Sequence, residues 1–157
     1  MSADSLQYGK RSSGGEKVYS FPVGASEVLK KKGGAFGKMD GSGRIEVAGA
    51  ADTGIVGWIV LNEDLTASST EGGTVLPVDL DLDGIYEIPI NSGTYATTMR
   101  GEVCDLSVSS NVQGANLTAS AVDVIEIVDK GFERSSGTVV SVLVKLFRNN
   151  LTRTGVV

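Results

Sequence analysis

Val78, Leu80 and Leu82 alternate with Asp79, Asp81 and Asp83 in the run Gly73-Thr-Val-Leu-Pro-Val-Asp-Leu-Asp-Leu-Asp-Gly-Ile-Tyr-Glu-Ile-Pro-Ile90. Successive strand side chains point to opposite faces, so the alternation predicts an apolar face backed by an acidic one. Asp83-Gly84 supplies residues that tolerate positive φ, and Ile85 to Ile90 can run back as a second strand. Strict two-residue pairing there sets Glu87 beside Leu80 and mixes the faces, which predicts a bulge or a longer connection. Pro77 and Pro89 lack a donor and belong at a strand end, bulge or edge.

The rest of the chain repeats this grammar in short pieces. With 157 residues there is room for one domain with a real core, or one domain plus a tail. Glycine is abundant at 21, aromatics are scarce at 6%, and Val and Ile recur in short runs. That balance favours strands and tight turns over helices, so the expected fold class is all-β. Strands are expected over 18–23, 35–39, 44–48, 55–61, 101–106, 122–128 and 138–147, with a turn at 40–43, a polar loop over 62–72 and a further turn at 91–93. Ser26 to Lys32 is expected to make a helical turn that Gly33-Gly34 ends.

An internal echo joins these pieces. Gly34-Ala-Phe matches Gly101-Glu-Val, and Ile55-Val-Gly-Trp-Ile-Val-Leu61 matches Val122-Asp-Val-Ile-Glu-Ile-Val128, both 67 residues on. Gly73-Thr-Val75 then matches Gly137-Thr-Val139. Two similar halves in one small barrel or sandwich would produce this order, as would chance among Gly/Val-rich strands.

Charge is unevenly placed within a formal net of −5. Residues 1–32 carry six basic side chains against three acidic ones, and the remainder carries eight against sixteen. Residues 1 to about 20 are polar, with Ser12-Ser13-Gly14-Gly15 at their centre, and are expected to lack the apolar surface to order themselves. The expected organisation is a flexible basic arm over 1–32 and a β-body over 33–157. A basic arm ahead of an acidic body fits docking on an acidic protein surface better than nucleic-acid binding, and equally fits an ordinary soluble terminus. No apolar run approaches the length of a membrane span, so a soluble protein made in the cytoplasm is expected, with no membrane partner.

Chemistry finds little purchase. There is no histidine, which excludes every triad, dyad or metal site that needs imidazole. The single cysteine, Cys104, excludes a disulfide framework and sits at a strand-like position, where a buried inert thiol is expected. Asp123 and Glu126 could form a carboxylate pair, as could many combinations among 19 acids, and nothing marks them as a glycosidase site. Asp79, Asp81, Asp83 and Gly84 match the opening of a calcium loop, but Ile90 stands where a bidentate Glu is required. Exposed aspartates on a strand are the stronger reading of that trio. No cofactor and no catalytic residue are expected.

One resemblance remains. Gly34-Ala-Phe-Gly-Lys-Met, Arg44-Ile-Glu-Val-Ala, Ile55-Val-Gly-Trp-Ile-Val and Gly73-Thr-Val-Leu-Pro-Val follow one another in order. Val78 to Ile90, Arg100-Gly-Glu-Val-Cys-Asp-Leu and Val139-Val-Ser-Val-Leu-Val-Lys-Leu continue the series. This order of strands and glycines, over roughly 33–147, resembles the head decoration, or capsid cement, proteins of tailed bacteriophages. The resemblance implies a small β-tulip-like barrel or sandwich, commonly a homotrimer, that binds the outside of a phage head and clamps neighbouring major capsid protein subunits. It implies a location on the virion surface and no enzymatic activity. The longer arm departs from that pattern. Charge, rather than the family, marks Lys10, Arg11 and Lys17, with Tyr19 and Phe21 beside them, as the arm's capsid contacts. A non-enzymatic carbohydrate- or receptor-binding β-domain is the alternative, weakened by the scarcity of aromatic platforms.

Overall fold

In the computed structural model, residues 9–12 and 17–147 are described. Among them the regular elements are β-strands and one 3-10 turn, Thr97–Met99. The all-β expectation therefore holds. In chain order the strands are β1 (Gly9–Ser12), β2 (Val18–Pro22), β3 (Val28–Leu29), β4 (Phe36–Met39), β5 (Ile45–Val47), β6 (Ile55–Ile59) and β7 (Leu65–Thr66). They continue with β8 (Val75–Asp79), β9 (Ile85–Ser92), β10 (Val103–Ser109), β11 (Val112–Asn116), β12 (Ile125–Lys130) and β13 (Ser141–Leu146).

The strands fall into two sets with one connectivity. The first sheet runs β2-β8-β6-β4-β5, and a parallel bridge from Val23 to Ile45 brings the end of β2 back to β5. In the second, β9, β11, β10, β12 and β13 follow one another and β13 pairs with β9 again. Each path closes with one parallel contact, Val23 with Ile45 and Ile90 with Ala115, and is otherwise antiparallel. Registers match as well as order. Phe36 opposite Trp58 corresponds to Val103 opposite Glu126. Met39 opposite Ile45 corresponds to Leu106 opposite Ala115. Ile59 opposite Val78 corresponds to Ile127 opposite Val144, and Tyr19 opposite Val78 to Tyr86 opposite Val144. The order of strands in the internal echo is thus duplicated in pairing, but two of its residue matches shift: Ile59 corresponds to Ile127 rather than Glu126, and Val78 to Val144, which sets Gly73-Thr-Val75 two residues away from Gly137-Thr-Val139.

The two sets share one core. Trp58 of the first lies flat on Tyr86 of the second, with ring centroids 4.9 Å apart and planes 14° apart. Phe36 meets both rings edge-on, at 4.9 and 5.1 Å. Beside them the amide of Gln113, only 1% exposed, spans the junction. Its Oε1 accepts from the Phe36 N–H at 2.8 Å, and its Nε2 donates to the Phe36 and Ala48 carbonyls at 2.9 and 2.8 Å. The Gly34 N–H donates to the Gln113 backbone carbonyl at 2.7 Å. A Cβ on Gly34 would stand 2.7 Å from Oε1, so this approach requires glycine.

Several expectations change. Val75–Asp79 and Ile85–Ser92 are strands, but they do not form a hairpin with each other. Both edges of β8 are taken by β2 and β6, and β9 is paired by β1, β11 and β13. The connection is instead the crossing between the two sets. The Asp79 carboxylate accepts from the Asp81 N–H and the Asp81 carboxylate from the Asp83 N–H, both at 3.1 Å. These two successive aspartate turns curl the chain out of its extended form. The Tyr86 hydroxyl fixes the curl by donating to the Asp81 carbonyl at 2.7 Å. Residues 26–32 form no helical turn; Val28–Leu29 pairs with Leu65–Thr66 inside the loop expected over 62–72. Within the segment expected as a flexible arm, Gly9–Ser12 pairs with β9 and Val18–Pro22 is a member of the first sheet. Residues 1–8 and 13–16 of that segment lie outside the described residues.

Gln113→Leu keeps the volume and takes the amide from the buried Phe36 N–H and the Ala48 carbonyl, while the Phe36 carbonyl keeps its bond from the Ala48 N–H at 2.9 Å. The expected loss of folding stability is about 3 kcal/mol or more. Urea denaturation should show it as a lower midpoint with an unchanged slope, and a loss below about 1 kcal/mol would contradict the role given to this amide.

Candidate interaction surface

Among the described residues most large apolar side chains are buried, and those that remain exposed are concentrated on the first sheet. They are Val18, Tyr19, Val60 and Val75, with Val108 standing apart on β10. β2 lies at the end of the sheet order, so its far edge carries no strand among the described residues beyond the single Val23 bridge. Lys17, Tyr19 and Phe21 alternate along it with Val18, Ser20 and Pro22. The structure therefore brings three of the expected contact residues to one side of a strand. The Tyr19 and Phe21 rings are 5.2 Å apart and tilted by 59°. Lys17 is exposed, and its carbonyl accepts from the Leu80 N–H at 2.9 Å. Lys10 and Arg11 lie on β1, where Lys10 is opposite Tyr86.

Duplication makes the exposure of Tyr19 informative. Val18-Tyr-Ser-Phe-Pro-Val23 and Ile85-Tyr-Glu-Ile-Pro-Ile90 occupy equivalent places, again 67 residues apart. Tyr86 is 1% exposed and Tyr19 is 64% exposed. The β9 edge at Ile85 to Glu87 is covered by β1, and the corresponding β2 edge is open among the described residues. Sequence reasoning had the signal for this pairing of segments in the shared Tyr and Pro spacing.

The acidic residues serve the fold. The Asp79 carboxylate also lies 3.5 Å from the Lys17 N–H, and Asp79 and Asp81 are buried rather than displayed on a strand face. Together with burial, their charge pushes the Tyr86 hydroxyl pKa well above its ordinary value. Among the described residues no cluster of three ligating side chains has the geometry to hold a metal ion. Buried Asp105 accepts from the N–H groups of Ala121, Val122 and Asp123 at 3.0, 2.8 and 2.8 Å, and so fixes the loop into β12. In the first set the corresponding place holds Lys38, which pairs with Glu46 at 3.0 Å and Asp52 at 2.9 Å. A strand carboxylate holding loop amides in one set is matched by a strand ammonium holding a loop carboxylate in the other. Glu126 pairs with Lys145 at 3.5 Å. A shallow hollow lined by Lys31, Gly33, Ala35, Trp58, Ile59 and Leu61 brings no pair of titratable groups together.

Among the described residues these features define the class as an all-β, internally duplicated module whose exposed apolar residues are concentrated on the sheet that ends in the open β2 edge. Comparisons with profiles of protein families, with curated proteins and with solved structures find no match to this chain.

Cys104 is buried, and burial, with Asp105 and Asp123 nearby, pushes its thiol pKa up to about 12 from an ordinary 9.0. A raised pKa stabilises the fold fully below the unfolded value and is lost as pH climbs through the folded one. The stability of the wild type should therefore fall between about pH 9 and pH 12, and less steeply in Cys104→Ala. Urea midpoints across that range give the test; parallel slopes would contradict the buried thiol's part.

Proposed function

We propose that this protein is a non-enzymatic head decoration, or cement, protein of a tailed bacteriophage. In this reading it sits on the outer surface of the capsid and clamps neighbouring major capsid protein subunits. Each closed path of strands is a small barrel of the β-tulip-like kind, and the basic residues expected of an arm lie on β1 (Lys10, Arg11) and just before β2 (Lys17). The protein assembles as a homotrimer, is synthesised in the host cytoplasm, and takes no nucleic-acid, membrane or cofactor partner. The strand order and glycine placement quoted above support the reading through their resemblance to that family. The observation that carries it is the gathering of Val18, Tyr19, Val60 and Val75 on one sheet beside Lys17. Val18 and Val75 lie on one face of the sheet and Tyr19, beside Lys17, on the other; exposed apolar side chains near charge are what a docking surface needs, and a substrate cleft is built differently. Its side chains divide between two kinds of neighbour, the shell and other copies of the chain. Lys10, Arg11 and Lys17 supply the charge directed at the shell, with Tyr19 and Phe21 on the adjoining strand. Each contact is weak, and a lattice of many copies multiplies it.

A second reading, a carbohydrate- or receptor-binding surface domain, is favoured by the neighbouring Tyr19 and Phe21 rings, one of them strongly exposed.

Co-sedimentation with empty expanded heads tests the first reading. Wild-type protein should bind, and binding should weaken as salt is raised. Reversing the charge at Lys10, Arg11 and Lys17 together should weaken it by about tenfold or more, each lost contact contributing modestly. Undiminished binding would remove the arm from the mechanism. Wild-type protein that ignores heads and instead binds on a glycan array would replace the first reading by the second.

A further inference from the structure

The open edge of β2 has a definable ligand. In an antiparallel pair, alternate residues turn their N–H and C=O toward opposite neighbours. Leu80 N–H donates to the Lys17 carbonyl and Val23 N–H to the Thr74 carbonyl, so residues 17, 19, 21 and 23 address β8. Val18 and Ser20 consequently present their N–H and C=O to the open side. Pro22 has the same outward placement and no N–H to offer. At the equivalent place in the second set, Ile85 and Glu87 face β1, which lies antiparallel with Gly9 opposite Glu87 and Lys10 opposite Tyr86. The fold therefore seats an antiparallel strand on this kind of edge once, and offers it a second time.

The geometry points to a second copy of this chain as the occupant, pairing β2 against β2 about a two-fold axis. With Tyr19 opposite Tyr19 of the second copy, Val18 falls opposite Ser20 and Ser20 opposite Val18. Every outward N–H and C=O of those two residues then finds a partner in four hydrogen bonds, and the proline falls outside the pairing. The register is self-complementary, as a two-fold contact requires. It brings two tyrosine rings together at a non-hydrogen-bonded position, where opposed side chains stand closest. It also covers Val18, 50% exposed, on the other face of the strand. A long apolar edge left bare invites uncontrolled association, and one limited self-pairing resolves it. This goes beyond the reading above and assigns Tyr19 to contacts between copies, leaving Val60, Val75 and the basic residues to the shell.

The test uses the full-length protein without heads, so its outcome is independent of the decoration reading. Tyr19→Cys should oxidise to a disulfide-linked dimer on a non-reducing gel, because the Cα separation of such a pair suits a disulfide. Val108→Cys, also exposed but on β10, should remain unlinked under the same oxidant. Light scattering of the wild type should give a molar mass that rises with concentration to twice its value at high dilution. Ser20→Pro removes an outward N–H at a placement the strand already tolerates for Pro22, and should abolish that rise. Tyr19→Lys keeps the backbone donors but opposes two like charges, and should abolish it too. The inference is overturned if Tyr19→Cys links no faster than Val108→Cys, or if both folded edge variants keep the wild-type mass profile.

Discussion

The structure depends on one buried amide. Gln113 commits both amide hydrogens and its carbonyl oxygen to Phe36 and Ala48, which belong to the other set of strands. An amide withdrawn from water is tolerable only when every donor and acceptor is matched, and here the match exists only if the two sets meet in one relation. Apolar contact alone would allow the Phe36, Trp58 and Tyr86 rings to slide. The amide removes that freedom, and Gly34 makes room for it. Two modules that could each have closed on themselves are thereby committed to a shared core.

That commitment explains why a duplicated chain is not functionally symmetric. Equivalent segments, Val18 to Val23 and Ile85 to Ile90, begin from the same tyrosine and proline spacing. β9 is enclosed by the junction on one side and by β1 on its edge, so Tyr86 becomes core and its hydroxyl holds the crossing chain. β2 receives no such cover among the described residues, and Tyr19 stays at the surface. The same division runs through the polar residues. Asp105 holds backbone amides of its loop, and Lys38 in the matching place holds carboxylates. Duplication supplied two edges and two loop anchors, and the junction decided which became structural.

The strand-only fold was legible because its signal is local. The β-branched runs in Thr138 to Phe147 and the turn glycines need no tertiary knowledge, whereas the alternation in Val78 to Asp83 misled, since the strand ends at Asp79 and the aspartates turn the chain. What failed was pairing. Asp83-Gly84 between two strand-like runs reads as a hairpin, yet both edges of β8 were already taken by strands distant in sequence. The helical turn expected after Ser26 gave way because Val28 and Leu29 found partners in Thr66 and Leu65. β11 went unread because Val112-Gln-Gly-Ala-Asn116 has almost no strand propensity; its hairpin is made by Ser110 and Asn111, both at positive φ. Gln113 was invisible for the same reason, since a glutamine becomes a clamp only when a second sheet closes over it. Tyr19 and Phe21 were named for their neighbourhood of positive charge; the reason for their importance lies in the comparison with Tyr86.

One edge is covered in the second set of strands and, among the described residues, open in the first. Amide hydrogen exchange, read residue by residue in dilute protein, addresses it most directly. Slow exchange is expected at Glu87 and at Phe36, whose N–H is held by Gln113, and fast exchange at Val18 and Ser20, slowing as concentration rises. Equal protection of Val18 and Glu87 at high dilution would contradict it.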